Sequence, residues 1–330
     1  MSTILQITSP SQNEYNAFVL EANGSFLQLW EWGSWQESFD KKVGRFMVTH
    51  NGKHVAACQV IIHTLPGYSY AYVPYGPIGL PSFGTDAIEA LSAKIKATFP
   101  YICHTKFEPR EESIVQVISS CKNFKINNRT NRQQTPNSLV LELTKDSDTL
   151  FAEMHPKTRY NIKVAQKHGL ECWEDHNPAM VNLLYETGSR QGFKTHEQGY
   201  YEKMVKFFNK GNITTKLLCV GKNNVPYALG LFLDYDNIRT YLFGGSDYEY
   251  RKYMAPYLLH WQAVGDAKAQ GFQTYDFWGL TNIHGKEVGF TRFKQGFGGK
   301  LLNFPNAIDV IYNPAKYKLF QLVRTIRSLI

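Results

Sequence analysis

The chain repeats one order of predicted secondary structure, and this repeat limits the folds that it can adopt. In each half, alternating apolar residues between Gly- and Asn-containing turns predict three strands, followed by an amphipathic helix and a further strand. The first copy has strands at 45–48, 55–65 and 70–75, a helix at 86–99 and a strand at 101–107. The second has strands at 215–220, 228–235 and 239–243, a helix at 256–270 and a strand at 274–278. A duplicated unit in 330 residues predicts two domains of the α+β class.

Helical segments precede both copies and define the layout further. They are predicted at 12–21 and 29–39 in the first half, and at 149–169 and 177–191 in the second. Two helices, three or four antiparallel strands, a helix and another strand are the layout of a GNAT-type acyltransferase domain. We therefore predict two tandem GNAT-like domains: residues 1–145, completed by the C-terminal tail 305–330, and residues 146–304.

The usual acetyl-CoA signature of that domain type is missing from both halves. The signature is a glycine-containing loop whose backbone amides hold a pyrophosphate at a helix N-terminus. The corresponding place in the second half, residues 251–256, reads RKYMAP and has a tyrosine in place of the central glycine. CoA is therefore not expected as the acyl donor, and we predict no cofactor.

Charge and cysteine usage indicate the partners and the compartment. The formal net charge of +8 favours an anionic partner such as RNA, a phosphorylated metabolite or an acidic membrane surface. The five cysteines are dispersed, without zinc-ligand spacing, and are expected to be reduced thiols, so no metal is predicted. The N-terminus lacks the features of a secretory signal, and no apolar run approaches the ~20 residues of a membrane span. We therefore expect a cytoplasmic protein.

Two segments could meet an anionic partner. Residues 275–299 run from an apolar strand into a glycine-rich loop that alternates cations with rings: Arg292, Lys294, Phe290, Phe293 and Phe297. This suits phosphates and bases, although a solvated basic loop with its rings in the core fits the pattern equally well. Residues 316–330 form a basic amphipathic helix. Such a helix either docks on a domain with its cations outward or lies peripherally at the inner face of the membrane.

Six short motifs, in order, carry a family resemblance. They are SFLQLWEWG at 25–33, YVPYGP at 72–77, QTP at 134–136, the helix at 159–169, the strand at 241–246 and FKQGFGG at 293–299. With them the chain resembles the FemABX peptidyltransferases, and specifically the compact, FemX-like members, because no heptad block for a coiled-coil arm is present. The resemblance implies transfer of an amino acid from aminoacyl-tRNA to the stem-peptide amine of a peptidoglycan precursor, either UDP-MurNAc-pentapeptide or lipid II.

The resemblance also implies catalytic residues. Lys294 matches the family position that meets the acceptor end of the tRNA, where its cation could neutralise a phosphate or the oxyanion, while Phe293 stacks on a terminal base. Glu108 matches an acidic position that could bind or deprotonate the acceptor amine; an ordinary strand-end carboxylate is the alternative. Tyr241 matches a tyrosine on the central strand, which lines the acceptor channel or belongs to the core.

The predicted substrate-binding residues depart from the family pattern at two places. Gln36 stands where the family often has a lysine, and His196, paired with Tyr200, stands where an arginine is usual. A glutamine can hydrogen-bond a phosphate but cannot neutralise it. Arg159 begins a row of cations at helical spacing, a candidate tRNA contact or a solvated face.

Two other functions stay open at the level of sequence. One is an N-acyltransferase on the same scaffold that uses another acyl donor on a polysaccharide or a metabolite. The other is a non-catalytic protein that binds RNA or the membrane surface.

Overall fold

A computed structural model describes residues 5–80, 83–191, 195–280, 282–283, 286–287 and 289–329 of the chain. The chain divides into two compact units. The first consists of Met1–Pro136 and Phe304–Ile330, and the second of Asn137–Asn303.

The elements are numbered along the chain. The strands are β1 (Leu5–Thr8), β2 (Val43–His50), β3 (Lys53–Leu65), β4 (Tyr68–Pro74), β5 (Ile78–Gly79), β6 (His104–Glu108), β7 (Lys125–Thr130), β8 (Asn137–Glu142), β9 (Glu171–Glu174), β10 (Ile213–Lys222), β11 (Val225–Tyr235), β12 (Ile238–Ser246), β13 (Thr274–Asp276), β14 (Asn282–Ile283), β15 (Lys286–Glu287), β16 (Lys300–Asn303) and β17 (Ala307–Ile311). The helices are α1 (Gln12–Glu21), α2 (Trp30–Glu37), α3 (Thr85–Thr98), α4 (Glu112–Ser119), α5 (Ser147–Ala152), α6 (Pro156–Lys167), α7 (Asn182–Gln191), α8 (Tyr200–Phe207), α9 (Ala255–Ala269), α10 (Gly289–Gln295) and α11 (Pro314–Leu329).

The two units share one topology, as the repeat predicts. The first sheet has the strand order β1-β2-β3-β4-β6-β17-β7, with β5 paired to β3. The second has the order β16-β8-β13-β12-β11-β10-β9. Among the described strands, each of these two sheets has one parallel pair, β4 with β6 and β12 with β13. A helix, α3 or α9, connects the two strands of that pair. Parallel neighbours require such a crossover, so the strand-helix-strand part of the repeat has its structural reason.

The hairpins that open the two copies use the same turn. Between β2 and β3 the two loop residues, Asn51 and Gly52, have φ values of 50° and 78°. Between β10 and β11 the loop residues Asn223 and Asn224 have φ values of 52° and 60°. Two left-handed residues in a two-residue loop match the right-handed twist of the strands, and asparagine and glycine tolerate that conformation best.

The boundaries between the units differ from the predicted ones at 145/146 and 304/305. Strand β8 pairs with β13 and β16 of the second sheet, so the division falls at 136/137 rather than after the strand. Strand β17 then lies between β6 and β7, and therefore places the C-terminal segment in the first unit. The predicted helix at 149–169 is two helices, α5 and α6, because Pro156 begins the second and cannot continue the first.

Each sheet has a hydrophobic core on one face. In the first unit, α3 and α4 pack through Ile88, Leu91 and Ile118 against β2, β3, β4 and β6. In the second, α6 and α9 pack through Ile162 and Leu259 against the strands. The cysteines are free thiols, with Cys172 half-buried and the others buried. The longest helix in the described ranges is α11, with 16 residues. None of the helices described combines the length and the apolar character needed to cross a membrane.

Candidate active site

The face of the first sheet that lies opposite the α3–α4 core is polar and aromatic. Successive residues of a strand point to opposite faces. In β4, Ala71 and Val73 belong to the core, so Tyr68, Tyr70 and Tyr72 lie on the other face and form an aromatic cluster. In β6, Phe107 belongs to the core, and His104, Lys106 and Glu108 alternate with it on the polar face. This face is the framework of the candidate site in the first unit.

Glu108 ends β6 and is fully buried. Its Oε2 accepts hydrogen bonds from the hydroxyl of Tyr72 (2.9 Å) and the backbone N–H of Gln134 (3.0 Å), and its Oε1 accepts one from the backbone N–H of Gln133. A carboxylate offers about four acceptor positions, so three described donors nearly fill it. Burial and the adjacent Glu108 carboxylate both raise the pKa of Tyr72, which keeps that hydroxyl a donor. The geometry of Glu108 therefore favours holding Tyr72 and the 133–134 backbone over abstracting a proton.

Gln36, in α2, has a cationic neighbour that the sequence did not reveal. The Nζ atom of Lys41 donates a hydrogen bond of 2.9 Å to Oε1 of Gln36. Burial lowers the pKa of Lys41 from its ordinary value of 10.5. A lysine five residues downstream thus brings a positive charge next to the position where the family pattern has its lysine.

Lys41 also lines a cleft of the first unit with a volume of about 550 Å³. Lys42, His63 and Tyr101 are further members of its wall, together with one acidic residue, Asp40. Burial, with a smaller effect of Lys41, lowers the pKa of His63 to about 4, so its imidazole is neutral at physiological pH. The His63 ring contacts the rings of Tyr70 (5.0 Å) and Tyr72 (5.4 Å). Through these rings, the basic cleft is connected to the hydroxyl that binds Glu108.

Lys294 lies in α10 of the second unit and is 8% exposed. Its Nζ donates to the carbonyl oxygens of Phe277 (2.7 Å) and Gly279 (2.8 Å), just beyond β13. Burial lowers its pKa to about 8, and the nearby Asp276 opposes that shift. An ammonium has three N–H donors, so beyond these two described bonds it has one to offer to a ligand. The sequence left open a solvated loop lysine, whereas the structure shows a buried cation.

Aromatic side chains surround this ammonium. Its Nζ lies 5.6 Å from the ring centroids of Tyr241 and Phe290. The His260 ring is 4.4 Å from that of Tyr241, and burial together with Lys294 lowers the pKa of His260 to about 3. Because the His260 imidazole stays neutral, Lys294 carries the positive charge among these described side chains. Tyr241, half-buried, is both part of the core edge and a wall of the lysine site.

Gly244 provides the space for the Tyr241 hydroxyl. A Cβ atom at Gly244 would lie 1.7 Å from that oxygen, far inside van der Waals contact. A side chain at position 244 is therefore incompatible with the observed position of the tyrosine ring. Burial raises the pKa of Tyr241 above its usual value, so the group stays protonated.

Phe293 precedes Lys294 and is half-buried. Its ring packs edge-on against Tyr257 (4.9 Å) and Phe297 (5.4 Å), and it also contacts His260. Phe297 is 1% exposed and belongs to the core. Phe297 thus packs in the core, whereas Phe293 is partly open to solvent.

His196 and Tyr200, the pair that the family resemblance indicates, are in contact in the structure. Their rings stack face to face, with centroids 3.8 Å apart and planes 10° apart, and His196 is also edge-on to Phe243 of β12. His196 is exposed and Tyr200 half-buried, so the stacked pair is partly open to solvent.

The guanidinium of Arg159 forms hydrogen bonds within the second unit. Its Nη1 donates to the carbonyl oxygens of Ala152 (2.9 Å) and Met154, which binds the end of α5 to the first turn of α6. Its neighbour Tyr160 is 66% exposed, and Lys157 and Lys163, three residues to either side on the same helix face, are exposed too. The exposed cation–ring surface of α6 is therefore centred on Tyr160, and the guanidinium of Arg159 has a structural role.

Four residues of the site were not predicted from the sequence: Lys41, His63, Tyr72 and His260. A signal existed for Tyr72, because Y-x-Y-x-Y in β4 and H-x-K-x-E in β6 place polar groups on one face at period two. Lys41 carries no such signal, since its contact with Gln36 depends on the turn that follows α2.

The architecture places the chain among proteins with two tandem GNAT-like domains. The crystal structure of FemX superimposes with a TM-score of 0.81 over 95% of this chain and 99% of that chain, at 19% identity. A tandem GNAT protein from the clavulanic acid biosynthesis pathway superimposes with a TM-score of 0.55, over 94% of this chain and 99% of that one, at 10% identity. At these identities the likeness concerns the fold.

The sequence places the chain within a family of that class. The sequence model of the FemAB family matches residues 123–220 and 212–325, so the chain belongs to the FemAB family. Aminoacyltransferase FemB of Staphylococcus epidermidis is 32% identical over 92 residues, which span 27% of this chain and 22% of FemB. The lipid II:glycine glycyltransferase of Staphylococcus haemolyticus (strain JCSC1435) is 20% identical over 403 aligned residues, covering 95% of this chain and 94% of that protein.

Proposed function

We propose that this protein is an aminoacyltransferase that moves an amino acid from aminoacyl-tRNA to the stem-peptide amine of a peptidoglycan precursor, and so builds an interpeptide bridge. Membership of the FemAB family supports the proposal, as does the likeness over nearly the whole chain to a protein named lipid II:glycine glycyltransferase. The observation that carries it is Lys294, a buried ammonium of lowered pKa held by two carbonyl oxygens beside Tyr241.

The reaction needs few groups from the protein. The acceptor amine attacks the ester carbonyl of the aminoacyl-tRNA, a C–N bond forms, and the bond from that carbon to the ribose oxygen breaks. The amine loses a proton and the ribose oxygen gains one, so the transfer balances without another reactant. Lys294 is the group that we assign to the oxyanion of the tetrahedral intermediate, where its remaining N–H donates. With a pKa of about 8, it also suits proton donation to the leaving oxygen near neutral pH.

For the acceptor, we propose the basic cleft of the first unit. Lys41 replaces the positive charge that Gln36 lacks, and Lys42 adds a second cation to the wall for the diphosphate of either a UDP-linked or a lipid-linked precursor. Peripheral contact with the inner face of the membrane belongs to this proposal if the acceptor is lipid II. Glu108 is assigned the positioning of Tyr72, whose ring contacts His63 of the cleft wall.

For the tRNA, the second unit offers rings and cations together. Phe293 offers a half-open ring beside Lys294, and the α6 surface around Tyr160 offers an exposed ring between cations. Exposed rings with adjacent cations suit unpaired bases and phosphates of RNA. His196 and Tyr200 are proposed to meet the acceptor through their stacked surface.

The test is a transfer assay with labelled aminoacyl-tRNAs and, in parallel, UDP-MurNAc-pentapeptide and lipid II, with and without RNase. We expect transfer that RNase abolishes, and a loss of at least ~100-fold in Lys294→Ala, which is typical for removal of an oxyanion donor. Lys300→Ala, in an exposed lysine of the same unit, serves as the matched control.

Transfer that resists RNase would mean that the acyl donor is an activated group other than aminoacyl-tRNA. Full activity of Lys294→Ala would remove the lysine from the chemistry. Salt-sensitive tRNA binding by a folded protein that gives no transfer to either acceptor would indicate an RNA-binding protein without catalysis.

A further inference from the structure

Helix α11 is attached to the first unit by its aromatic side. The hydroxyl of Tyr317 donates a 2.6 Å hydrogen bond to Oδ2 of Asp309, a buried carboxylate that also pairs with Lys106 at 3.0 Å. Phe320 stacks on Tyr68 with ring centroids 4.2 Å apart and planes 6° apart. These contacts fix which side of the helix faces the sheet.

The opposite side of α11 is aliphatic and faces outward. Leu319 is 62% exposed, Leu322 58% and Val323 41%. Their spacing, i, i+3 and i+4, places them in one row on the helix surface. A helix that simply caps a domain buries its aliphatic residues. Helix α11 instead buries its aromatic rings and exposes its aliphatic residues. An exposed aliphatic row of this kind marks an interaction surface.

Charge indicates what meets this row. Lys316 and Lys318, in the first turns of α11, are exposed beside the aliphatic residues, in a chain of net charge +8. An apolar stripe bordered by lysines is the arrangement of helices that lie in the interface of an anionic bilayer, with the aliphatic groups among the acyl chains and the ammonium groups at the phosphates.

We infer that α11 docks the protein on a membrane containing anionic phospholipid, with Leu319, Leu322 and Val323 inserted and Lys316 and Lys318 at the headgroups. This deepens the proposed function and rests on it where the acceptor is lipid-linked, because it assigns the membrane contact to one helix. The surface does not use Lys294 or the basic cleft, so it can be tested separately from transfer.

The experiment is sedimentation of the full chain with vesicles of phosphatidylcholine alone or mixed with phosphatidylglycerol. We expect binding to the anionic vesicles, weakened by salt. Leu322→Ser should lower the partition coefficient about tenfold or more, since a leucine side chain leaves the apolar phase. The double charge reversal K316E/K318E should lower it further on anionic vesicles only.

Matched controls test whether the effect belongs to α11. Leu20→Ser changes a leucine of α1 that is 42% exposed, and K53E/K94E reverses two exposed lysines of the same unit; both should bind like wild type. Equal binding by Leu322→Ser, or no binding of folded wild type to anionic vesicles, would overturn the inference. A concentration-dependent doubling of mass that Leu322→Ser abolishes would assign the row to a second copy of the chain instead. Transfer to the soluble acceptor is a separate readout, so failure of the membrane inference leaves the enzymatic proposal intact.

Discussion

The burial of Lys294 predicts how the stability of the second unit changes with pH. The folded protein holds this ammonium with a pKa of about 8, against an ordinary value of 10.5. Between these two values the unfolded chain keeps the proton while the folded chain releases it. Because the unfolded state then binds more protons, the free energy of unfolding rises with pH across this window. Below about pH 8 the buried charge is destabilising, and that effect is relieved as the pH increases.

The magnitude follows from the two pKa values. Linkage gives a rise of about 2 kcal/mol in the free energy of unfolding between about pH 6.5 and about pH 9.5 for this one group. Other groups also titrate, so the quantity to measure is the difference between wild type and Lys294→Met, which lacks the titrating amine. Methionine also leaves the carbonyls of Phe277 and Gly279 without this donor, which costs about 1–3 kcal/mol each, but that offset does not depend on pH.

Urea unfolding followed by circular dichroism at the two pH values measures the difference, with separate transitions fitted for the two units. Relative to Lys294→Met, wild type should gain about 2 kcal/mol at the higher pH in the transition of the second unit. Lys300→Met, which removes an exposed lysine of the same unit, should show no such gain. A stability difference between wild type and Lys294→Met that stays constant with pH would refute the argument, because it would mean that the folded state does not depress the pKa of this lysine.

Three substitutions test the other parts of the site. Lys41→Ala should raise the KM for the acceptor about tenfold or more with a smaller effect on kcat, as expected for loss of a charge-assisted bond to a phosphate. Glu108→Gln should destabilise the first unit by about 1–3 kcal/mol, because an amide cannot accept from all the donors that the carboxylate satisfies; activity per folded molecule should fall less than about tenfold if positioning is its role. Gly244→Ala should lower transfer about tenfold or more, because the new Cβ would lie 1.7 Å from the Tyr241 hydroxyl and displace the ring.

Lys53→Ala, an exposed lysine of the first unit, is matched to Lys41→Ala, and an unchanged acceptor KM in the latter would place the diphosphate elsewhere. A loss of more than about a hundredfold in Glu108→Gln with unchanged stability would make Glu108 the general base. Gly265→Ala, where a Cβ meets nothing within 4 Å, is matched to Gly244→Ala, and equal effects of the two would mean that the Tyr241 contact is irrelevant.

Some features of the site could be predicted from the sequence, and these are the ones that local pattern controls. The family resemblance pairs His196 with Tyr200, and their rings stack in the structure. That Lys294 lies beside aromatic rings follows from the alternating motif, although the motif predicts a loop where the structure has α10. The burial of Lys294 does not follow, because the two carbonyls that hold it belong to the segment after β13, and only the folded chain brings them within 2.8 Å.

The sequence by itself determined the duplicated α+β architecture. The hairpin turns at Asn51-Gly52 and Asn223-Asn224, the alternation in the strands and the crossover helices are set by backbone preference and side-chain periodicity over a few residues. Local patterns do not contain the unit boundary, since the partners of β8 are β13 and β16, far along the chain.

Only the tertiary structure decided the protonation, the partners and the exposure of the functional groups. It placed Lys41 against Gln36, enclosed Glu108 among its donors, removed Lys294 from water and turned the rings of α11 inward so that Leu319 and Leu322 face out. Desolvation and hydrogen bonding depend on which distant segments surround a side chain, and a one-dimensional pattern does not contain that information.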